Sequence, residues 1–325
     1  NLFDIMRSLK KEGVSFIYIS HKMPELFEIC DKYYVLRDGC LVAEGKFEDT
    51  DEDGITELMI GRQLHDAEFE NHADHIRPEV AMEAQHLSGE GFEDISFQLH
   101  KGEVLAITGL QGSGRDELAD ALFGVIPARG RLSFGGQTLE NARNIKFHMK
   151  HGVALVPRMR KERGIHDDLS IIDNMSMAFL NTKWKKLLIS GRAERERFAR
   201  QQKALQIKAG SPANPITSLS GGNQQKVILG KWLETDAEVL LFDNPTQGID
   251  VGTKFEIYHL ILELAKQGKA IIVFSSEFPE IYKVADSCMV LYKGRVNAVM
   301  SREEMTEKNV MYYSTGANVE GAKNA

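Results

Sequence analysis

The chain has 325 residues, of which 42% are hydrophobic and 27% charged, and its formal net charge is −7. This composition is typical of a globular protein with room for two domains, and its acidic balance argues against nucleic acid as the default partner. The three cysteines are scattered along the chain, which favours a reducing compartment. No apolar run approaches the roughly 18 residues of a membrane span, so we expect any membrane contact to be made through another subunit. Because Asn1 enters a helical pattern directly, with no signal-peptide pattern, we expect the natural start to lie upstream.

An internal repeat relates residues 13–39 to residues 268–294 at a constant offset of 255, with nine identities and no gap. Each copy is predicted to contain a buried strand, a serine turn, a short helix, a second strand and a glycine turn. A gapless match that includes a shared Pro-Glu pair favours two homologous domains in tandem. We therefore predict the tail of a first domain at 1–61, a polar linker at 62–79, a second domain at 80–310 and a C-terminal tail at 311–325.

A glycine-rich loop, GLQGSGRD at 109–116, follows an apolar strand pattern and precedes a helix pattern. Strand, loop and helix in this order are the context of a phosphate-binding P-loop. The loop departs from the usual G-x-x-x-x-G-K-[ST] because Arg replaces the Lys and Asp replaces the Ser or Thr. A damaged nucleotide site and a structural remnant, in which the acid merely suits the first helical turn, both stay open. The candidate nucleotide-binding residues here are Gly109, Leu110, Gln111, Gly112, Ser113, Gly114, Arg115 and Asp116.

A second string, LSGGNQQK at 219–226, precedes a helix pattern and offers hydroxyl and backbone N–H donors at its start. An apolar strand then ends in Asp243, in the Walker B arrangement that directs a carboxylate toward Mg²⁺. Asp243 and Asp116 are therefore the candidate metal residues. The candidate nucleotide-binding residues of the second string are Leu219, Ser220, Gly221, Gly222, Asn223 and Gln224.

These motifs occur in the order of an ABC ATPase domain. Their sequences resemble those of the ATP-binding subunit of ribose/galactose-type monosaccharide importers, in the segments LSGGNQQKVILGKWL and NPTQGIDVGTKFEIY. The resemblance implies an α/β P-loop NTPase fold with a mixed-sheet core, an antiparallel β subdomain and a helical signature subdomain. It also implies ATP and Mg²⁺ as cofactors. The implied partners are membrane permease subunits and, indirectly, a sugar-binding protein, at the cytoplasmic face of the plasma membrane.

Four positions depart from the pattern that this family uses for hydrolysis, although its second domain commonly has Arg in the P-loop. Asn244 stands where a Glu polarises the attacking water, and Ser276 stands where the first copy has the switch histidine, His21. In the Q-loop segment VPRMR, Arg158 and Met159 occupy positions where acids are expected. We therefore expect the second site to bind ATP weakly and to hydrolyse it poorly. The candidate catalytic positions are His21, Asn244 and Ser276, and the four altered positions are Arg115, Asp116, Asn244 and Ser276.

Domains of this family pair head to tail, so the resemblance implies that LSGG completes the first domain's site, to which His21 also belongs. A non-transport ABC ATPase and a non-hydrolysing regulatory or scaffold domain are the alternatives. Phe92 is a candidate to stack on adenine, with a core role equally open. The basic run RMRKER at 158–163 is expected to be a solvated face rather than a partner contact.

Overall fold

The computed structural model describes residues 2–20, 22–37, 39–60, 73–141, 144–183 and 189–317. The chain divides into a first unit, residues 1–68 with 249–256, and a second unit, residues 69–248 with 257–325. The helices are α1 (Leu2–Lys11), α2 (Met23–Ile29), α3 (Glu52–Ile60), α4 (Arg115–Leu122), α5 (Ile145–Lys150), α6 (Ile171–Thr182), α7 (Gly191–Ala204), α8 (Gly221–Leu233), α9 (Val251–Lys266), α10 (Phe278–Val284) and α11 (Glu307–Ser314). The strands are β1 (Lys32–Arg37), β2 (Cys40–Lys46), β3 (Val80–Gly89), β4 (Phe92–His100), β5 (Val104–Thr108), β6 (Ala128–Phe134), β7 (Gln137–Glu140), β8 (Val153–Val156), β9 (Val239–Asp243), β10 (Ala270–Phe274), β11 (Ser287–Tyr292) and β12 (Arg295–Ser301).

The first unit contains the antiparallel β1–β2 pair, and its small apolar core includes Met23, Leu26, Phe47 and Ile55. The strand predicted within residues 14–20 is wrong, because this segment has no strand structure and Ile17 and Ile19 are 94% and 93% exposed. The equivalent stretch of the second copy is strand β10, which is buried and hydrogen-bonded on both sides by β5 and β9. An apolar segment becomes a central parallel strand only where neighbouring strands satisfy its backbone, and the described part of the first unit offers none beside residues 14–20.

The second unit is built on a six-stranded sheet with the order β12-β11-β5-β10-β9-β8. The strands from β11 to β8 pair in parallel, and β12 is added antiparallel at one edge. Strands β5, β9 and β10 are buried along their whole length, which explains their uninterrupted apolar sequences. The carboxyl ends of these three central strands therefore meet at one edge, where ligands bind in open α/β sheets.

An antiparallel sheet with the order β4-β3-β6-β7 shares one apolar core with α4 and the six-stranded sheet. Helices α6, α7 and α8 form a separate helical region, in which α6 packs on both α7 and α8. Each of these three helices begins at a serine N-cap whose side chain accepts a backbone N–H, which satisfies an otherwise orphaned donor. The expected ABC-type α/β architecture, with its mixed-sheet core, antiparallel β subdomain and helical signature subdomain, is confirmed.

Two of the predicted segments, the linker and the C-terminal tail, can be compared with the structure. Residues 61–72 of the linker lie outside the described residues, while the Arg77 N–H donates to the carbonyl of Lys101 within the second unit. Helix α11 crosses the limit set at residue 310, and the Asn297 side-chain amide donates to the carbonyl of Tyr313. Across the described ranges, no helix has the length and apolar character needed to span a membrane.

Candidate nucleotide-binding site

The glycine-rich loop connects β5 to α4, as the P-loop pattern predicts. Gly112 and Gly114 have φ angles of +78° and +90°, which a side chain rarely tolerates, and Gly114 is the residue from which α4 begins. A Cβ added to Gly112 would meet no atom within 4 Å, so the loop is open at this residue. Leu110, Gln111 and Gly112 are exposed in this loop, beside the first turn of α4, where unpaired N–H groups carry partial positive charge.

Two buried side-chain atoms of this loop have no hydrogen-bond partner among the residues that the structure describes. They are Nη1 of Arg115 and Oγ of Ser113, and both residues are less than 10% exposed. The other side of the Arg115 guanidinium is engaged, since Nε and Nη2 donate to Oδ1 of Asp116 at 3.0 and 2.8 Å. Buried donors are rarely left unsatisfied in native proteins, so an unpaired guanidinium N–H in a P-loop indicates a site for an anionic ligand.

Arg158, from the loop after β8, connects the P-loop helix to the Walker B strand. Its Nη1 donates to Oδ2 of Asp243 at 2.5 Å, and its Nη2 donates to Oδ2 of Asp120 at 2.9 Å. Arg163 donates to the other oxygen of Asp120 at 2.5 Å. The basic run at 158–163 is therefore only in part the solvated face expected from its charge, because Arg158 and Arg163 pair with carboxylates of α4 and β9, while Lys161 and Glu162 are exposed.

Asp243 lies at the carboxyl end of β9 and is fully buried. Burial is the largest influence on the pKa of its carboxyl and raises that pKa, while the Arg158 guanidinium opposes the rise. Asn244, in the left-handed conformation at φ +47°, donates from its side-chain amide to Oδ1 of Asp243 at 3.0 Å. Both oxygens of the Walker B carboxylate are thus engaged by side chains of this domain.

The other two predicted catalytic positions are Ser276 and His21. Ser276 is exposed just beyond β10, next to the strand that ends in Asp243, and the Asn244 N–H donates to the carbonyl of Phe274 at the end of β10. Asn244 and Ser276 thus follow adjacent parallel strands. His21 lies outside the described residues.

The LSGG string forms the N-terminus of α8, with Ser220 as the exposed N-cap. The Asn223 side chain donates to Oγ of Ser220 at 3.0 Å and accepts the Lys208 N–H at 2.8 Å, so it braces this turn. The Gln224 side chain is 6% exposed, and its amide donates to the carbonyls of Ile216 and Leu219. Gly222 is buried, while Leu219 and Gly221 are half-buried.

Arg160 links this helix start to the loop after β9. Its Nε donates to Oε1 of Gln224 at 3.2 Å, and its Nη1 donates to the carbonyls of Gln247 and Gly248 at 3.1 and 3.2 Å. A Cβ on Gly221 would lie 2.5 Å from Nη2 of Arg160, so glycine is needed there for the guanidinium to approach. The segment 158–163 therefore contacts both the P-loop helix and the signature helix.

Phe92 is a core residue, which settles the alternative left open for it. It is 3% exposed and belongs to the apolar cluster shared by the two sheets and α4. Sequence reasoning also missed the roles of Asp120 and Arg163. The available signal was the spacing of Asp120 from Asp116, four residues along one helix, together with the arginines in a segment where acids were expected.

The fold and the matched sequence define the class of this domain. Residues 92–247 match the family described as ABC transporter. A solved nucleotide-free ATP-binding cassette from an ABC transporter superposes with a TM-score of 0.62 at 20% identity, covering 72% of this chain and 95% of that one. A dimeric cassette bound to ADP and phosphate superposes with a TM-score of 0.59 at 18% identity, covering 68% and 98%. The second unit therefore has the ATP-binding cassette fold of ABC transporters.

Curated relatives with similar sequences are more specific than this class. The ribose import ATP-binding protein RbsA of Oceanobacillus iheyensis is 39% identical over 319 residues, which is 98% of this chain and 64% of that protein. A ribose/galactose/methyl galactoside import ATP-binding protein of Geobacillus kaustophilus is 42% identical over 322 residues, covering 98% of this chain and 63% of that protein. The chain thus spans just under two thirds of the length of these relatives. It contains an ABC transporter ATPase domain closely related to ribose/galactose import ATP-binding proteins.

Proposed function

We propose that this chain is an ATP-binding, energy-coupling part of a sugar-import ABC transporter. The likeness to ribose and galactose import proteins over nearly the whole chain supports a sugar as the cargo. In this proposal the cassette works peripherally at the cytoplasmic face of the plasma membrane, bound to permease subunits that receive sugar from a binding protein.

Nucleotide binding at the loop 109–116 is the part of the proposal carried by one structural observation. The buried Nη1 of Arg115 has no partner among the described residues, and it lies where the P-loop pattern places the phosphate-binding cation. A guanidinium N–H gives a strong, charge-assisted hydrogen bond to a phosphate oxygen. The space around Gly112 in the same loop is open, which is compatible with a phosphate chain bound along the loop.

Poor hydrolysis is the second part of the proposal. A general base must accept a proton from the attacking water, and the Asn244 amide has no basic site for it. Its N–H group is turned toward Oδ1 of Asp243 instead. Ser276, in the place of a switch histidine, offers only a hydroxyl. We therefore expect the site to hold nucleotide with little turnover.

The third part concerns the signature at 219–224. We propose that it completes the site of another ABC cassette in a head-to-tail pair, with His21 belonging to that same site. The exposed Ser220 hydroxyl and the N-terminus of the 13-residue helix α8 supply suitable donors for an anion. ATP with Mg²⁺ stays a prediction for that composite site.

Binding of a fluorescent ATP analogue to the chain tests the nucleotide site. We expect Arg115→Ala to weaken binding about tenfold or more, because it removes a charged donor to phosphate, while Arg129→Ala, an exposed arginine on β6, leaves it unchanged. Equal losses in both variants, or no binding by the unaltered chain, would contradict a P-loop site. ATP hydrolysis by the chain alone should stay near background, and rapid turnover would contradict the role given to Asn244.

Transport is tested by expressing the chain in its source cells and isolating membranes. A permease that copurifies with the chain would support the importer role. Recovery of the chain without any permease, in a complex that binds nucleotide, would favour the non-transport or regulatory alternatives.

A further inference from the structure

Six charged side chains gather where the P-loop helix, the segment after β8 and the end of β9 meet. Three are carboxylates and three are guanidiniums, so the cluster is electrically balanced without any ligand. Most of its members are no more than a quarter exposed, which makes their pairing strong compared with surface ion pairs. The six residues are Arg115, Asp116, Asp120, Arg158, Arg163 and Asp243.

The two residues predicted to hold Mg²⁺ do not fit that ion in this arrangement. Oδ2 of Asp243 accepts from Arg158 and Oδ1 accepts from Asn244, while Oδ1 of Asp116 accepts twice from Arg115. Mg²⁺ requires oxygen ligands in near-ideal octahedral geometry and would lie against a guanidinium here.

We propose that the Arg158 guanidinium takes the place of a divalent cation at this site, so that the cassette binds the triphosphate of a nucleotide without Mg²⁺. This inference rests on the nucleotide site proposed above. In a metal-dependent site the ion separates the Walker B carboxylate from the phosphates. Here Arg158 neutralises Asp243 directly, at 2.5 Å, and removes the repulsion that this carboxylate would otherwise exert on bound phosphate.

In this proposal, two arginines have the roles that a divalent cation has in a metal-dependent site. Arg158 is held on both sides, by Asp243 and by Asp120, and its Nη1 also lies 3.4 Å from the carbonyl of Asp116. It is therefore fixed between the strand end and the P-loop helix. Arg115 keeps an unpaired Nη1, and this atom is the donor left for phosphate.

Titration of the chain with ATP by isothermal calorimetry, once with excess Mg²⁺ and once with excess EDTA, tests the inference. We expect the two dissociation constants to agree within about twofold. A dissociation constant about tenfold or more weaker in EDTA would overturn the inference while leaving nucleotide binding intact. Absence of binding in both buffers would overturn the proposed nucleotide site itself, so the two failures are distinguishable.

Arg158→Gln and Arg163→Gln form a matched pair, because both remove one guanidinium from the same cluster and only the first exposes Asp243 to a metal. We expect ATP binding to Arg158→Gln to become about tenfold stronger with Mg²⁺ than in EDTA, whereas Arg163→Gln stays indifferent to Mg²⁺. Indifference in Arg158→Gln, or the same dependence in both variants, would overturn the role of Arg158.

In Arg158→Gln, the buried Asp243 loses its guanidinium partner and keeps the hydrogen bond from the Asn244 amide. Circular dichroism will reveal whether this variant folds. Should it unfold, Arg158→Lys decides the question because it keeps a cation next to Asp243. We expect ATP binding to the Lys variant to remain indifferent to Mg²⁺, and a Mg²⁺ requirement there would overturn the inference.

Discussion

Oδ2 of Asp286 accepts the backbone N–H of Val104 at 2.8 Å and so joins residues 182 positions apart at the amino ends of β5 and β11. The pKa of this carboxyl is raised to about 6, mainly by burial. Within that net rise, the hydrogen bond from Val104 and the charge of Arg302 act to lower the pKa, and the charge of Glu103 acts to raise it. The folded state therefore holds its proton more tightly than the unfolded chain. Stability from this group is present at low pH and is lost as pH rises from about 4 to about 6.

Asp286→Asn should therefore stabilise the protein at neutral pH. The variant keeps an oxygen acceptor for Val104 but removes a half-buried charge, a gain on the order of 1–3 kcal/mol in the free energy of unfolding at pH 7.5. Urea unfolding at pH 7.5 and pH 4.5 measures it, and the gain should shrink at the lower pH. Asp168→Asn, at an exposed position, is the control. A gain that is equal at both pH values would contradict the assigned pKa.

His148 has the opposite dependence on pH. It is fully buried, burial lowers its pKa to about 4, and the hydrogen bond to the carbonyl of Leu122 partly opposes that shift. Because the unfolded chain takes up the proton more readily, stability from neutral His148 is present above about pH 6.5. It is lost as pH falls toward 4, by about 3 kcal/mol.

His148→Phe keeps an aromatic ring beside Phe134 but cannot titrate. We expect its free energy of unfolding to vary less between pH 6.5 and 4 than that of the unaltered protein, whatever its absolute stability. The exposed Gln137→Ala, which changes no titratable group, should leave the profile unchanged. Since Asp286 and His148 contribute opposite slopes in the same range, only the difference between variant and parent is informative.

Arg160→Ala should loosen the start of α8. The change removes donors to Gln224, Gln247 and Gly248 and leaves their oxygens without this partner. We expect faster amide hydrogen exchange across residues 219–226, with little change in β3 and β4. The neighbouring Lys161→Ala, at an exposed position, is the matched control. Unchanged exchange at the signature would show that α8 does not depend on Arg160.

The exposed segment 14–20 should promote self-association. Ile17 and Ile19 are almost fully exposed, and contiguous exposed apolar side chains are aggregation-prone. The double change Ile17→Lys and Ile19→Lys should lower the apparent mass in light scattering without altering the stability of the second unit. Met311→Lys, at another exposed apolar position, should have little effect. If both changes lower the mass equally, the segment has no special part in association.

The local motifs were readable because their chemistry depends on neighbours in sequence. The P-loop glycines, the serine N-cap of α8 and the burial of Asp243 at a strand end all follow from short patterns. The strand predicted at 14–20 failed because parallel pairing depends on distant strands, which its own sequence does not specify. The pairing of Arg158 with Asp243, 85 residues apart, is also invisible to local reasoning, which predicted a solvated charge instead.

The hydrogen bonds of Arg158 to both Asp243 and Asp120 also affect which substitutions this domain can tolerate. Replacing Arg158 alone strands Asp243 in the interior, at about 3–5 kcal/mol out of a total stability of about 5–15 kcal/mol. Replacing Asn244 alone with an acid adds a fourth carboxylate beside Asp116, Asp120 and Asp243 while Arg158 still blocks the metal position. Each of these single substitutions is therefore penalised, by a buried unpaired charge in the first case and by added repulsion in the second. Their effects on stability should be non-additive when Arg158 and Asn244 are changed together.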